Sequence, residues 1–588
     1  MMPKDSATPA FLGVEHSVLG RVWTGPTLDQ ARLAEALAQD TGLAPALSAV
    51  LARRGVAPES AQAFLAPVLR DLLPDPMVLR DMDVAAERFL RAVKGRQRIA
   101  IFADYDVDGG ASAALLIVWL RTMGLRATLY IPDRIDEGYG PNDAAMADLA
   151  DGHDLIVCVD CGTLSHGPIA AAKGADVIVL DHHLGAETLP DCVAVVNPNR
   201  QDETGDLGHL CAAGVVFLLL VEANRRLRGA GVTGPDLMAM LDLVALATVA
   251  DVAPLVGVNR ALVRQGLVVM GRRARPGLVA LADVARMDGA PTPYHLGFLL
   301  GPRVNAGGRI GAADLGARLL STDNPAEAEA LAQRLDVLNT ERREIEAAVR
   351  AAAMAQAEAR GVKGPLVWAA GRGWHPGVVG IVAARLKEAY GRPAVVIGLD
   401  GDGIGKGSGR SVSGVDLGVA VQRVVSEGLL LRGGGHRMAA GLTVEESRLA
   451  PAMQRLGQLL ARQGAGSGGR DHLTLDAVLM PCAATPELIA QIERAGPFGM
   501  GAPAPRFAFP DCVIHAARRV GDSHLKVTFG DGLGARIEAI AFGAFDSALG
   551  AALEGYGGAR FHMAGRLEIN HWGGRQTAQL RLDDAARA

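Results

Sequence analysis

The sequence contains few cysteines, few aromatic residues and no long apolar run. Six cysteines occur among 588 residues, and aromatic side chains make up 4% of the chain. So sparse a set of cysteines favours a reducing compartment over a disulfide-stabilised protein. The residues between Met1 and Gly20 lack a signal-peptide pattern, and no stretch of about 18 apolar residues could cross a membrane. We therefore expect a cytoplasmic protein with no membrane partner.

A strong charge of either sign is also missing. The net charge is −5 over the whole chain, so the composition gives no general sign of binding to a polyanion. A site for a polyanion must then depend on local groups of basic residues. Hydrophobic residues make up 49% of the chain and charged residues 21%, which is the balance of an ordered protein. The length predicts roughly three to five domains.

Apolar, β-branched runs alternate with helical patterns from residue 98 onward. This alternation predicts an α/β fold with a parallel sheet covered by helices. We also predict glycine-rich loops at 401–414 and 433–441 and a flexible linker at 464–469. The predicted domains are a helical region (1–95), an α/β domain (96–320), a long connecting helix (321–361), a second α/β domain (362–465) and a small β-barrel (470–588).

Acidic residues and histidines follow several of these apolar runs. They are Asp104 and Asp106 after 99–103, Asp160 after 155–159, Asp181, His182 and His183 after 177–180, and Asp251 after 243–250. The carboxyl ends of parallel strands share one edge of a sheet, where open α/β sheets bind their ligands. Two carboxylates on one face, such as Asp104 and Asp106, repel each other unless cations neutralise them. The pattern predicts a pair of hard divalent cations and phosphoester hydrolysis.

Other interpretations of these motifs fit less well. An EF-hand calcium loop starting at Asp104 requires glutamate at its twelfth position, which is Leu115. The segment 401–407 resembles a phosphate-binding P-loop but has no serine or threonine after Lys406. Cys158 and Cys161 have the spacing of a redox pair, but they end a strand, and no second pair completes a zinc site. For Asp160 taken alone, a helix N-cap is the alternative.

A set of short segments spread along the chain resembles the motifs of one known family. The segments are ADYDVDG (103–109), VDCG (159–162), DHH (181–183), TVADVAPL (248–255), PRVNAGGR (302–309), WHPGVVGI (374–381), GSGRS (407–411) and GGGH (433–436). They resemble the DHH phosphoesterase superfamily, and within it the bacterial single-strand-specific 5′→3′ exonucleases. The resemblance covers nearly the whole chain. It implies a DHH catalytic domain at 96–320, a DHH-associated domain at 362–465 and an oligonucleotide-binding (OB) fold at 470–588.

The resemblance also implies a substrate and cofactors: single-stranded DNA, cut to 5′-mononucleotides in recombination and repair with two Mn²⁺ or Mg²⁺ ions. The implied metal ligands, which are also catalytic residues, are Asp104, Asp106, Asp160, His182 and Asp251. Asp160 is expected to bridge the two ions, and catalytic His183 to contact phosphate or support a ligand. Some superfamily members place a histidine ligand where this chain has Ala100. The alanine favours the nuclease branch over the pyrophosphatases.

Basic and polar side chains in the later motifs are expected to bind the substrate. Guanidinium groups bind phosphate through two hydrogen bonds, and glycine-rich loops present backbone N–H groups to anions. Arg303 and Arg309 flank a predicted turn, and Ser408 and Arg410 lie in the first glycine-rich loop. The resemblance makes Arg309, Ser408 and Arg410 candidates for binding the 5′-terminal phosphate. His436 is a candidate for contacting the scissile phosphate, with a structural loop histidine as the alternative.

In the barrel, Phe498 and Trp572 are candidates for stacking on bases, although both also suit a core. The low aromatic content predicts that single strands bind mainly through charge, with strong salt dependence. As partners we expect a single-strand-binding protein and a RecQ-type helicase, and we expect a monomer.

Two other functions stay open at this point. A small-substrate member of the superfamily, such as an oligoribonuclease, a cyclic-dinucleotide phosphodiesterase or a pyrophosphatase, would not need the barrel. A DNA-binding scaffold with a decayed metal site would be expected to lack a carboxylate, whereas the set of ligands here is complete.

Overall fold

The computed structural model describes residues 10–134, 136–466, 471–572 and 574–588, apart from the side chain of Trp572. The chain forms two compact units. One unit contains Pro74–Pro254 and Leu262–Gly468, and the other contains Met1–Leu73, Leu255–Ala261 and Gly469–Ala588. Within the described ranges, no helix is both long enough and apolar enough to cross a membrane. The predicted linker at 464–469 lies partly outside the described residues.

A five-stranded, fully parallel sheet forms the first part of the larger unit. Its strands, in spatial order, are Ala127–Tyr130, Ile99–Ala103, Leu155–Val159, Asp176–Leu180 and Ala194–Val196. The three central strands are almost wholly buried, as expected for β-branched runs covered by helices on both faces. The chain order reverses between Ile99–Ala103 and Leu155–Val159. Such a switch point opens a crevice at the carboxyl ends of the two strands.

Helices cover this sheet and continue beyond it. Val107–Thr122 begins directly after the first strand, because the Asp106 side chain accepts hydrogen bonds from the N–H groups of Asp108 and Gly109. The α-helices of this part are Met82–Lys94, Val107–Thr122, Asp143–Gly152, His166–Ala171, Ala212–Gly229, Leu241–Ala250, Gly257–Gly271, Pro276–Val284, Gly301–Ile310 and Leu315–Ser321, with a π-helical turn at His295–Leu300.

The predicted connecting helix is confirmed as one helix, Pro325–Arg360. Asn324 caps it by accepting hydrogen bonds from the N–H groups of Ala326 and Glu327, and Pro325 occupies its first position. The helix ends at Gly361, whose φ of 91° breaks the helical backbone. Sequence signals alone therefore define both ends of this element.

A mixed five-stranded sheet follows the long helix. Its strands, in spatial order, are Arg432–His436, Ala439–Glu445, Ile404–Arg410, Ala394–Leu399 and Val367–Arg372, and its helices are Pro376–Tyr390, Leu417–Ser426 and Leu449–Arg462. The two predicted glycine-rich loops are therefore wrong, because most of their residues are strands. The glycines of Ile404–Arg410 alternate, and a Cβ at Gly405 or Gly407 would lie within 2.8 Å of neighbouring side chains. Close packing, and not a loop, requires glycine here.

The predicted turn between Arg303 and Arg309 is also wrong. Both residues lie in the helix Gly301–Ile310. Gly308 on this helix packs so tightly that a Cβ would lie 2.4 Å from the backbone oxygen of Tyr105. The glycines here let the helix approach the first aspartate motif, which brings Arg309 close to that motif.

The smaller unit contains a closed β-barrel. Its five strands are Phe507–Val520, His524–Gly530, Arg536–Ala541, Arg560–Trp572 and Arg575–Arg587. Outside the barrel, Ala477–Val478 pairs with Phe507–Val520, and Val22–Thr24 pairs with His472–Thr474. The barrel closes because Phe507–Val520 pairs with both His524–Gly530 and Arg560–Trp572. The helices of this unit are Leu28–Thr41, Pro45–Arg53, Ala61–Leu65, Leu69–Leu72, Pro486–Glu493 and Ala548–Glu554.

The N-terminal helices share a core with the barrel. Leu47 and Leu51 belong to the same buried cluster as Phe507 and Phe529. The five-domain division stays a prediction.

Candidate active site

Asp160 lies at the switch point of the parallel sheet, directly after Leu155–Val159. Its φ of 59° is in the left-handed region, which aspartate tolerates better than most residues. The Asp160 N–H donates to the Leu180 oxygen at 3.0 Å, and the Tyr139 hydroxyl donates to the Asp160 oxygen at 3.0 Å. Two hydrogen bonds therefore hold an uncommon backbone conformation at the end of this strand.

Most of the predicted metal ligands converge around Asp160. Three sets of side chains have ligand atoms within 4.8 Å of one another: Asp104 with Asp106 and Asp160; Asp160 with His182 and His183; and Asp108 with His182 and Asp251. The Nε2 atom of His182 is 3.3 Å from a carboxylate oxygen of Asp160 and 3.7 Å from one of Asp251. Asp160 and His182 each belong to two of the sets, and of the two only the Asp160 carboxylate has two oxygen atoms to offer to a pair of cations.

The positions of these side chains fit a site that binds cations better than they fit a protein core without a ligand. Asp104 Oδ1, Asp160 Oδ1 and His182 Nε2 are buried, and none of them has a hydrogen-bond partner in the described part of the chain. Buried polar atoms are normally satisfied, so three orphaned ligand atoms facing one another call for a ligand that is not protein. Carboxylate and imidazole donors suit Mn²⁺ and Mg²⁺.

Crowding of the carboxylates also shifts their pKa values. Burial, and then the charges of Asp108 and Asp106, raise the pKa of Asp251 to about 9. Burial and neighbouring carboxylates raise the pKa of Asp160 and of Asp104 well above the usual range. These shifts are the signature of negative charges that lack a counter-charge, which divalent cations supply.

Asp108 and Asp181 were not among the implied metal ligands or catalytic residues, but both organise the site. The Asp108 carboxylate accepts hydrogen bonds from the N–H groups of Ala212 and Ala213 at 2.7 and 2.8 Å, at the start of Ala212–Gly229. Asp181 accepts hydrogen bonds from the Thr163 N–H and from the Nδ1 atom of His183. Burial opposes ionisation of Asp181, but these donors hold its pKa below the usual range. The signal for Asp108 was its alternation with Asp104 and Asp106.

A group of basic side chains lies close to the carboxylate cluster, since Arg134 interacts electrostatically with Asp104, and Arg309 with Asp106. Arg309 donates to the Gly377 oxygen at 3.0 Å, and a Cβ on Gly380 would lie 3.1 Å from both Ser408 Oγ and Arg410. Gly377 and Gly380 lie in the first turns of Pro376–Tyr390, so the three predicted phosphate-binding side chains surround a helix N-terminus. A helix N-terminus with nearby guanidinium groups is a ready anion site.

Arg134 also belongs to this group of basic side chains, although it was not predicted as a site residue. Burial, and then the positive charge of Arg134, lower the pKa of Arg309 to about 10. Burial and then Arg134 also lower the pKa of Arg410. Arg134 stacks over the Tyr105 ring at 4.9 Å. The signal that could have found it is its place after Ala127–Tyr130, at the carboxyl edge of the parallel sheet.

The other two predicted substrate-binding residues are His436 and Arg303, and only His436 lies near the site. His436 lies near both clusters, since burial and then the charges of Arg410 and His183 lower its pKa. The Arg303 guanidinium is held instead by the Asp336 carboxylate at 2.8 Å and the Leu299 oxygen at 2.8 Å. The structure thus brings His436 to the site and engages Arg303 with the long helix.

In the smaller unit, the Phe498 ring packs against the barrel core and lies 5.1 Å from the Arg54 guanidinium. The side chain of Trp572 lies outside the described residues. Phe542 is an exposed aromatic ring at the end of Arg536–Ala541, with Arg581 at 5.3 Å. Stacking on bases by Phe498 is therefore disfavoured, and the more exposed Phe542 was not predicted as a stacking residue.

Comparison with known proteins agrees with this geometry. Three family profiles match the chain: the DHH family N-terminal domain at residues 98–248, the DHHA1 domain at 363–462 and the RecJ OB domain at 475–584. The single-stranded-DNA-specific exonuclease RecJ of Dickeya dadantii is 38% identical, over 88% of this chain and 92% of its own length. The protein of the same name from Escherichia coli is 37% identical, over 92% of this chain and 96% of its own.

A solved structure agrees with this fold. The crystal structure of RecJ in complex with Mn²⁺ from Thermus thermophilus matches with a TM-score of 0.78 and 30% identity, covering 96% of this chain and 79% of that one. A second structure of that protein contains Mg²⁺.

The parallel sheet, the carboxylate and histidine cluster at its switch point and the associated α/β part define a DHH-type phosphoesterase. The chain belongs to the RecJ family of single-stranded-DNA-specific exonucleases.

Proposed function

We propose that this chain is a two-metal 5′→3′ exonuclease that hydrolyses single-stranded DNA to 5′-mononucleotides in recombination and repair. The observation that carries the proposal is that two clusters lie close to each other. The carboxylate and histidine cluster interacts electrostatically with the arginine cluster, which lies around a helix N-terminus. His436 is close to members of both.

The residues that would hold the two cations are Asp104, Asp106, Asp160, His182 and Asp251, with Asp160 shared. When bound, the cations supply Lewis-acid activation of the phosphodiester and of the attacking water. Asp181 keeps the His183 ring oriented through the 2.8 Å hydrogen bond to Nδ1, and the Tyr139 hydroxyl lies 3.3 Å from Nε2. Fixed charges in a water-poor site need no reorganisation as charge develops.

The arginine cluster explains the direction and the step size of the reaction. Arg134, Arg309, Arg410 and Ser408 would bind the 5′-terminal phosphate together with the first turn of Pro376–Tyr390. With that end fixed, the next phosphodiester along the strand meets the metal centre. Each cycle then releases one nucleotide from the 5′ end. We assign no direct phosphate contact to Arg303, because Asp336 already binds it.

We further propose that the protein works in the cytoplasm as a monomer with a single-strand-binding protein and a RecQ-type helicase. A single-strand-specific enzyme needs a reaction that unwinds duplex DNA and a protein that keeps the strands apart. Size-exclusion chromatography with light scattering tests the monomer. Incubation with duplex DNA tests the role of the helicase. We expect the duplex to be degraded only when a helicase is added.

Digestion of end-labelled DNA tests the proposed reaction. Single-stranded and blunt duplex DNA, labelled at either end, are incubated with Mn²⁺, Mg²⁺ or EDTA. We expect metal-dependent release of mononucleotides from the 5′ end of single strands alone. Cleavage of dinucleotides or pyrophosphate without degradation of long strands would reassign the protein to the small-substrate branch. Binding without cleavage in any metal would support the scaffold instead.

A comparison of substrate ends tests the phosphate site. The Arg410→Gln variant should lose most of its preference for 5′-phosphorylated over 5′-hydroxyl strands, because guanidinium groups bind phosphate directly. Arg372→Gln is a matched control, since the Arg372 guanidinium is exposed and pairs with Glu446. An unchanged preference in Arg410→Gln would remove this residue from the phosphate site.

A further inference from the structure

Tyr139 is a half-exposed aromatic residue whose hydroxyl reaches into the metal centre. Its residue exposure is 53%, yet the hydroxyl donates to the Asp160 oxygen at 3.0 Å. The Tyr139 hydroxyl oxygen is also 3.1 and 3.3 Å from the two ring nitrogens of His183. The two rings meet edge to face, with centroids 5.5 Å apart. One hydroxyl therefore contacts two residues of the site.

The hydrogen bond to Asp160 has a specific task. The left-handed backbone at Asp160, with φ of 59°, is a conformation that persists only where its surroundings hold it. The Leu180 oxygen secures the Asp160 N–H, and the Tyr139 hydroxyl secures its carbonyl. The direction of the Asp160 carboxylate depends on this backbone. Tyr139 thus acts on Asp160, one of the two residues that belong to two sets of candidate ligands.

The Tyr139 hydroxyl also lies against the His183 ring. The Nδ1 atom of His183 is committed to Asp181 at 2.8 Å, and the only proton of the Tyr139 hydroxyl is committed to Asp160. The hydroxyl oxygen lies against the imidazole edge, 3.1 Å from Nδ1 and 3.3 Å from Nε2. Asp181 and Tyr139 together limit rotation of the ring.

The segment that carries Tyr139 is anchored separately. Glu137 accepts hydrogen bonds from the Tyr130 hydroxyl at 2.6 Å, from the Asp133 N–H at 2.8 Å and from Asn142 at 3.0 Å. Gly138 and Gly140 flank Tyr139 with φ of 91° and 76°, which only glycine adopts easily. The anchor at Glu137 and the contact at Tyr139 can therefore be tested apart.

We propose that Tyr139 is a positioning residue of the metal centre: its hydroxyl holds the Asp160 backbone and the His183 ring in the arrangement that binds the cations. The inference deepens the proposed function and rests on it. Tyr139 contributes no metal ligand of its own.

The test compares three tyrosine-to-phenylalanine variants by calorimetric titration with Mn²⁺ alone and by steady-state cleavage of single-stranded DNA. Tyr139→Phe removes the hydroxyl at the site. Tyr130→Phe removes the hydroxyl that anchors the segment, and Tyr294→Phe removes one from an exposed ring elsewhere. The ring of Tyr139 is half exposed, so its phenylalanine variant should fold, and circular dichroism with thermal unfolding checks this.

We expect Tyr139→Phe to weaken Mn²⁺ binding by about fivefold to tenfold, the effect of one lost hydrogen bond. We expect kcat to fall by a similar factor, with KM changed by less than about twofold, because the substrate contacts remain. The two control variants should stay within about twofold of the wild type.

Wild-type Mn²⁺ affinity and kcat in Tyr139→Phe would overturn the proposal. An equal loss in Tyr130→Phe would also overturn it, since the effect would then belong to the segment and not to the hydroxyl. If the wild type failed to cleave DNA at all, the proposed function would fail, while the Mn²⁺ titration would still decide the role of Tyr139.

Discussion

At the scale of single residues, Asp160 combines a constrained backbone with a buried, unsatisfied carboxylate. Its exposure is 2%, and its Oδ1 atom has no hydrogen-bond partner among the described residues. Four other aspartates of the site raise its pKa after burial does, so the site carries like charges in close contact. Such a site is organised for cations at the expense of its own stability.

Replacing Asp160 by asparagine separates function from folding. Asparagine tolerates the left-handed backbone, so Asp160→Asn should keep the fold. We expect cleavage to fall to background, and the thermal midpoint in EDTA to be no lower than that of the wild type, because like-charge repulsion is relieved. Asp29→Asn, at a residue that is 94% exposed, is the control. Full cleavage by Asp160→Asn would contradict the assignment of the metal centre.

Asp108 should behave differently, because its main contacts are structural. Asp108→Ala leaves the buried N–H groups of Ala212 and Ala213 without acceptors. We expect this variant to lose about 1–3 kcal/mol of unfolding free energy, measured by urea titration in EDTA. A variant with wild-type stability but weakened Mn²⁺ binding would show instead that Asp108 is mainly a metal ligand.

At the scale of elements, close helix packing positions the phosphate site. The helix Gly301–Ile310 contacts the Tyr105 backbone through Gly308, and this contact sets the place of Arg309. Gly308→Ala should reduce kcat/KM and destabilise the fold by about 1–3 kcal/mol, since the added Cβ overpacks the contact. The matched control is Gly229→Ala at the end of another helix, where a Cβ has open space. Unchanged kinetics in Gly308→Ala would separate Arg309 from this packing.

Helices and strands with a clear hydrophobic pattern were predictable from the sequence, whereas glycine-rich strands were not. The strands Ile99–Ala103 and Leu155–Val159 match their predicted bounds, because buried β-branched runs have a clear pattern. The helix Pro325–Arg360 has cap signals at both ends. Ile404–Arg410 was taken for a loop because glycine has a low strand propensity, whereas here it fits close side chains.

The strand Phe507–Val520 was missed for a related reason. It contains Pro510 and Asp511, and its pairing with Arg560–Trp572 shifts register there. Asp511 has a φ of 48°, which marks an irregularity in the strand. From the sequence alone, a proline followed by an aspartate predicts that a strand ends there.

The predicted site residues came from the order of the strands and from the resemblance to family motifs, and neither gives contacts between distant parts of the chain. Asp104, Asp106, Asp160 and His182 follow strands that become neighbours, so their meeting was predictable. The contact of Arg309 with Gly377 joins residues that are 68 positions apart, and no local pattern encodes it. Arg134 and Tyr139 follow an edge strand and form no motif with the others.

At the scale of the whole molecule, distant parts of the sequence complete one another. Leu47 and Leu51 of the N-terminal helices share a core with Phe507 and Phe529 of the barrel. The segment Leu255–Ala261, which begins four residues after Asp251, is also counted with that unit. Deleting the barrel is therefore not a neutral truncation.

A chain of residues 1–466 should bind more of the hydrophobic dye ANS than a chain of residues 74–466. In the longer chain, the N-terminal helices lose the apolar partners that bury Leu47 and Leu51. Fluorescence titration at equal concentration measures the difference. Equal dye binding by the two chains would mean that the N-terminal helices fold without the barrel.

Anomalous scattering from a crystal grown with Mn²⁺ tests the central claim most directly. We predict two peaks on either side of the Asp160 carboxylate, one also contacted by Asp104 and Asp106 and the other by His182. A single peak, or peaks that Asp160 does not contact, would contradict the two-metal centre.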